Sequence, residues 1–142
     1  MLNETIAHYR ILRKLGSGGM GVVYEAEDTK LGRRVALKFL TENSERDPQA
    51  LERFLREARA ASSLNHSGIC TIHAIEEHQT QTFIAMELLE GRTLDEELLK
   101  QERLSFNRVA GITRQIAAAL GEAHRKHVVH RDLKPANIML VD

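Results

Sequence analysis

The run Val129-His-Arg-Asp132-Leu-Lys134-Pro-Ala-Asn137-Ile-Met-Leu140 sets an aspartate, a lysine and an amide at i, i+2 and i+5. A carboxylate can orient and deprotonate a hydroxyl. A lysine two residues on can neutralise charge developing on a transferred phosphoryl group, and an amide oxygen is a hard ligand suited to Mg²⁺. Read alone, the same residues are a polar loop in which Pro135 stops a helix.

About a hundred residues earlier stands Gly16-Ser17-Gly18-Gly-Met-Gly21-Val-Val23. Glycines without a Cβ let backbone N–H groups approach phosphate oxygens closely. Dinucleotide-binding proteins use the same spacing, but there a helix opens at the last glycine. Here Val22-Val23-Tyr24 reads as strand. An ordinary glycine-rich hairpin is the competing reading.

Lys38 lies in the apolar run Val35-Ala-Leu-Lys38-Phe-Leu40, with Ala36 and Leu40 on its own face. Buried there, its ammonium needs an anionic partner. A solvated lysine guarding an edge strand is the alternative. The next amphipathic segment offers Glu52 and Glu57, one on each flank of its apolar stripe, and periodicity does not choose between them.

The elements that must carry these residues follow from pattern. Alternation from Tyr9 into the glycines, then Val22–Tyr24, then 35–40, predicts an antiparallel meander. Asp47 before Pro48 caps a helix whose stripe is Leu51, Phe54, Leu55, Ala58 and Ala61, ending near 64–65. Short strands are expected at 70–75 and 83–87 about the turn 78–81. Thr93-Leu-Asp-Glu96 has capping-box spacing for a helix to about 100. Ser105 caps a longer helix, with Val109, Ile112, Ile116, Leu120 and Ala123 as its buried stripe, ending near His127. A β-rich part thus gives way to a helical one at 87–91.

Composition narrows the function classes. Charges balance at 20 against 20, so no whole-chain field points to nucleic acid or an anionic membrane. The start lacks the basic and apolar blocks of a signal peptide, and no apolar run nears the roughly 20 residues of a membrane helix. One cysteine, Cys70, excludes an internal disulfide and fits a reducing compartment, so a cytoplasmic location is expected. His124, His127 and His130 recur every three residues, a spacing that invites a metal site but lacks a fourth ligand.

Taken in order, these motifs resemble the eukaryotic-type protein kinases, and most their bacterial serine/threonine branch, in which Gly-Gly-Met-Gly-Val-Val-Tyr and His-Arg-Asp-Leu-Lys-Pro-x-Asn are usual wording. The resemblance spans Tyr9 to Asp142. It implies an α+β, protein-kinase-like fold: a complete five-stranded antiparallel N-lobe with one main helix, then the first helices and catalytic loop of a truncated helical C-lobe. It divides the chain into a leader (1–8), an N-lobe (9–87), a hinge (88–91) and the start of a C-lobe (92–142).

The implied cofactors are ATP and Mg²⁺, and the implied partner is a protein serine or threonine. Gly16, Gly18 and Gly21 would cover the phosphates, with Val23 and Ala36 on the adenine and Leu15 and Ser17 also binding the nucleotide. Lys38 would bind phosphate and Glu57 would be its helix partner, since Glu57 stands the family's distance ahead of Leu64-Asn-His66. Met86 would gate the back of the pocket, and Glu87 and Leu89 would offer backbone groups to the adenine edge. Asp132 would be the catalytic base, Lys134 its serine/threonine-type companion, Asn137 a metal ligand and His130 a structural residue of the loop. No Asp-Phe-Gly occurs in the 142 residues, and Ser67-Gly68 stands where the family commonly has Pro-Asn. The expectation is therefore a truncated kinase domain, inactive alone, that exposes apolar surface on the 109–123 helix. A non-catalytic nucleotide-binding module, or one that pairs with another kinase, is the alternative.

Overall fold

The computed structural model of the chain describes residues 2–17 and 21–141. Alternation of apolar and polar residues produces the strands β2 (Tyr9–Ser17), β3 (Gly21–Asp28) and β4 (Arg33–Leu40) as an antiparallel meander. β5 (Ile72–His78) and β6 (Gln81–Glu87) form a hairpin, and β6 pairs with β4. These five strands are joined by a sixth. Thr5–Ile6 (β1), from the segment expected to be a leader, pairs with β2 and buries Ile6. The sheet order is β1-β2-β3-β4-β6-β5. The four apolar residues of the first eight, in two adjacent pairs, make no readable alternation, so β1 escaped the sequence pattern.

The sheet is apolar on both faces. One face collects Tyr9, Ile11, Ala26, Val35, Leu37, Phe39, Phe83 and Ala85, with Phe39 and Phe83 stacked at 5.0 Å and Tyr9 edge-on to Phe83 at 5.8 Å. The other receives α2 (Pro48–Ser62), whose Phe54 and Ala58 pack on Leu40 and Ile84. Asp47 accepts from the Gln49 N–H at 3.0 Å, satisfying an otherwise orphan donor, and Pro48 opens the helix at no cost in hydrogen bonds. α2 stops at Ser62, short of the expected 64–65. A one-turn helix, α1 (Glu42–Glu45), precedes it, and Glu45 accepts from the Thr82 N–H at 3.0 Å. The hairpin turns on Gln79 and Thr80, both at positive φ, so its strands run closer to the turn than the sequence suggested.

The chain divides into two compact units: residues up to 63 with Thr71–Leu88, and Leu64–Cys70 with residues from 89 onward. In the second unit, β7 (Gly91–Thr93) pairs with β8 (Met139–Val141), and the helices are α3 (Leu94–Lys100) and α4 (Phe106–Arg125). Thr93 and Ser105 cap them as their side chains suggested, accepting from Glu96 and Arg108 N–H groups at 3.1 Å. α4 ends at Arg125, with His127 in the left-handed region just beyond.

The expected buried stripe of α4 is corrected. Ala123 is buried and Ile112, Ile116 and Leu120 are half-buried, but Val109 is 46% exposed. The most buried residues are the small ones, Ala119 and Ala123, because the 64–70 loop comes close there: a Cβ on Gly68 would lie 3.2 Å from that of Ala119. Among the described residues no helix is long and apolar enough to cross a membrane.

Candidate functional site: a sheet face and a loop

The first group of site residues lies on the sheet. In an antiparallel pair, residues directly opposite share a face. Register pairs Gly21 with Leu40, Val23 with Lys38, Lys38 with Ile84 and Ala36 with Met86, so Gly21, Val23, Ala36, Lys38 and Met86 all lie on one face. At Gly21 the strands approach so closely that an added Cβ would sit 2.6 Å from the Phe39 carbonyl oxygen and 3.7 Å from Lys38 Cε. The Lys38 stem therefore passes beside the end of the glycine run. Gly16 and Ser17 are exposed at the end of β2, opposite Val23 and Val22, and the register shifts between Lys14 and Gly16, at Leu15. Gly18 lies outside the described residues.

The expectation of a buried lysine is overturned. Ala36 and Leu40 on either side are buried, yet Lys38 is exposed, because its four-carbon stem carries the ammonium past them into solvent. Glu57 is exposed too, and neither it nor Lys38 makes an ion pair with any described residue. The rotation of α2 is set by Ala50, Phe54 and Ala58, which leaves both Glu52 and Glu57 outside its buried stripe. Met86 is half-buried and packs on the cluster of Leu40, Phe54 and Ile84. Glu87 is tied at both its backbone and side chain to Thr71: its N–H donates to the Thr71 carbonyl at 2.8 Å, and Oε2 accepts from the Thr71 N–H at 3.1 Å. Leu89 lies half-buried in the stretch between β6 and β7.

Glu25 is a charged residue that the sequence reading passed over. It is buried beside Ala36 and accepts from Arg13 at 2.5 Å and Arg34 at 2.9 Å, tying β2, β3 and β4 across the same face. The signal was legible: an acid inside an apolar strand has to be paired. Elsewhere on the sheet, burial and then the Glu76 carboxylate push the Tyr9 hydroxyl up to about 12. Partial burial, then the Arg33 guanidinium, hold His73 below its ordinary value.

The second group sits in the loop after α4. Arg131 adopts a left-handed conformation, φ 69°, which turns the chain so that the Asp132 N–H donates to His130 Nδ1 at 3.1 Å. A single 3₁₀ turn, Pro135–Asn137, then folds Asn137 back. Its Nδ2 donates to the Asp132 carbonyl oxygen at 2.8 Å and lies 3.4 Å from Asp132 Oδ2. Lys134 Nζ stands 3.5 Å from the same Oδ2. The three residues picked from spacing are thus brought together, and all are exposed.

The chain leaves this turn into β8, and the Leu94 N–H at the head of α3 donates to the Ile138 carbonyl at 2.8 Å. With its nitrogen held by Asp132, the Asn137 amide could offer Oδ1 to a cation. One neutral hard oxygen beside a carboxylate suits Mg²⁺, which takes few protein ligands and fills its shell with water and phosphate oxygens. Among the described residues no group of three or more His, Cys, Asp or Glu could hold a metal.

Comparison with known proteins places the chain in a family. The family described as protein kinase domain matches residues 9–142. The serine/threonine-protein kinase PknA of Mycobacterium tuberculosis is 42% identical over 137 residues, covering 93% of this chain and 32% of PknA. PrkC of Bacillus subtilis, also a serine/threonine-protein kinase, is 42% identical over 132 residues, covering 93% of this chain and 20% of PrkC. The crystal structure of the M. tuberculosis PknI kinase domain superposes with a TM-score of 0.87 at 31% identity, covering 99% of this chain and 57% of that one. This chain therefore spans about a third or less of the length of these two curated relatives.

Proposed function

The chain belongs to the protein kinase domain family, and from that premise we propose that it is the nucleotide-gripping and catalytic-loop part of a serine/threonine protein kinase, moving the γ-phosphoryl group of ATP to a protein hydroxyl. One observation carries the reading: Asp132, Lys134 and Asn137 converge on a single carboxylate oxygen, with Asn137 locking the backbone of Asp132.

Asp132 accepts the proton of the serine or threonine hydroxyl and aligns its oxygen for attack. Lys134, close enough to share that carboxylate, offsets negative charge on the phosphoryl group in transit. Asn137 Oδ1 is a ligand for Mg²⁺, which, when bound, neutralises phosphate charge. Gly16, Ser17, Gly18 and Gly21 cover the phosphates, and on the sheet Val23 and Ala36 flank the adenine. Met86 closes the pocket's back, and the 88–91 hinge with Glu87 and Leu89 meets the adenine edge. Lys38, free at its ammonium, takes phosphate oxygens, and Glu57 pairs with it in the nucleotide-bound state.

The test is phosphotransfer to serine-containing protein by the intact protein that carries this chain. Asp132→Asn should lower the rate by about 100-fold or more, the usual worth of a general base, while ATP affinity stays within a few-fold. Undiminished transfer would overturn the assignment. Nucleotide binding with no transfer by the parent protein would instead establish the non-catalytic module. Residues 1–142 contain no Asp-Phe-Gly, so the polypeptide of these residues alone is expected to bind nucleotide without turnover.

A further inference from the structure

α3 buries an acid. Its only buried residue is Glu97, 5% exposed, while Leu98 is 38% and Leu99 84% exposed. A rotation of about 100–200° would exchange the acid for a leucine, at roughly 100° per residue. Burying a carboxylate costs several kcal/mol unless it is paired, so something fixes this register. The partner is Arg92 of β7, whose Nε donates to Glu97 Oε2.

Arg92 stands where the catalytic loop is anchored. It lies opposite Leu140 in the β7–β8 pair, and Thr93, next along, lies opposite Met139 and caps α3. The Leu94 N–H holds the Ile138 carbonyl, one residue after Asn137. Gly91 presses β7 against β8 so closely that a Cβ there would lie 2.9 Å from the Leu140 carbonyl carbon. The ion pair thus clamps the β7–α3 corner, and that corner grips the segment leaving Asn137. Asn137 in turn holds Asp132.

We propose that Arg92 and Glu97 are positioning residues for the phosphoryl-transfer site, acting through β7, β8 and Asn137 on the place of Asp132 and of the metal oxygen. A purely stabilising pair could be replaced by apolar side chains without kinetic effect; a positioning pair could not. The inference rests on the kinase reading above.

The experiment uses the intact protein, with rates expressed per folded molecule from melting curves. Glu97→Gln should lower kcat about tenfold, the scale of a sub-ångström misplacement, with KM for the protein substrate within about twofold. The Mg²⁺ concentration for half-maximal rate should rise. The charge swap Arg92→Glu with Glu97→Arg should recover most of the loss. If Glu97→Gln fails to fold, Arg92→Lys, which keeps the charge but loses the planar fork, is read in the same way. A lower melting temperature with unchanged kcat and Mg²⁺ dependence would overturn the proposal, because the pair would then only stabilise. An Asp132→Asn control separates the two levels. If it abolishes transfer while Glu97→Gln does not alter it, this inference alone falls. If it leaves transfer intact, the kinase reading falls and takes the inference with it.

Discussion

The sheet and the loop hold their chemistry in different ways. Lys38, Ala36 and Met86 reach one face only because β4 pairs with β3 on one side and β6 on the other, in a register fixed by the aromatic core beneath. Asp132 and Asn137 are five residues apart and are joined by direct hydrogen bonds in a loop with almost no buried side chains. The sheet's chemistry is therefore as stable as its whole core, whereas the loop's depends on a few local bonds and the β7–β8 clamp. Loss of packing should cripple the first, and loss of single polar contacts the second.

The largest contrast should come from two phenylalanines. Phe83 is fully buried between Tyr9 and Phe39, and Phe83→Ala should cost about 3–5 kcal/mol in urea melts. Phe106, 86% exposed at the start of α4, should change stability by no more than about 0.5 kcal/mol on the same substitution. Equal losses would abolish the distinction between the regions.

Two glycines give the next test. Gly21→Ala drives a Cβ towards the Phe39 carbonyl and should destabilise by about 1–3 kcal/mol. Gly111, inside α4, has nothing within 4 Å of an added Cβ, so Gly111→Ala should stabilise by about 0.5–1 kcal/mol. A neutral Gly21→Ala would show that the glycine run tolerates movement of β3 away from β4.

The smallest effect is in pH. Burial and then Glu76 push the Tyr9 hydroxyl up to about 12 in the folded protein, against an ordinary 10.0 when unfolded. Between those values the unfolded chain gives up its proton first, so stability should fall as pH rises from 10 to 12. His73 works in the opposite range: its depressed value means the unfolded chain protonates first, and stability falls as pH drops below the ordinary 6.5. Tyr9→Phe should flatten the alkaline limb and His73→Asn the acid one. Limbs that persist in both variants would place the pH sensitivity in groups other than Tyr9 and His73.

Much of this was legible in the residues themselves. The caps at Asp47, Thr93 and Ser105 act as their side chains announced, because a cap depends on atoms two or three residues away. The Asp132–Lys134–Asn137 grouping was legible for the same reason. β1 was not, since a two-residue strand has no period to read. The stripe of α4 was misjudged at Val109, because which part of an amphipathic helix is covered depends on neighbours remote in sequence. Glu97 was hidden by its own helix: periodicity puts leucine inward, and only the arginine on β7 reverses that.

By itself the sequence determined the family, the main strands and helices, and the grouping of Asp132, Lys134 and Asn137, since these rest on residue types at short, fixed spacings. Tertiary structure alone decided that the Lys38 ammonium stands in solvent unpaired with Glu57, that Gly21 must lack a side chain, and that α3 turns its glutamate inward. Each of these depends on the distance between segments far apart along the chain, which packing sets and local pattern does not.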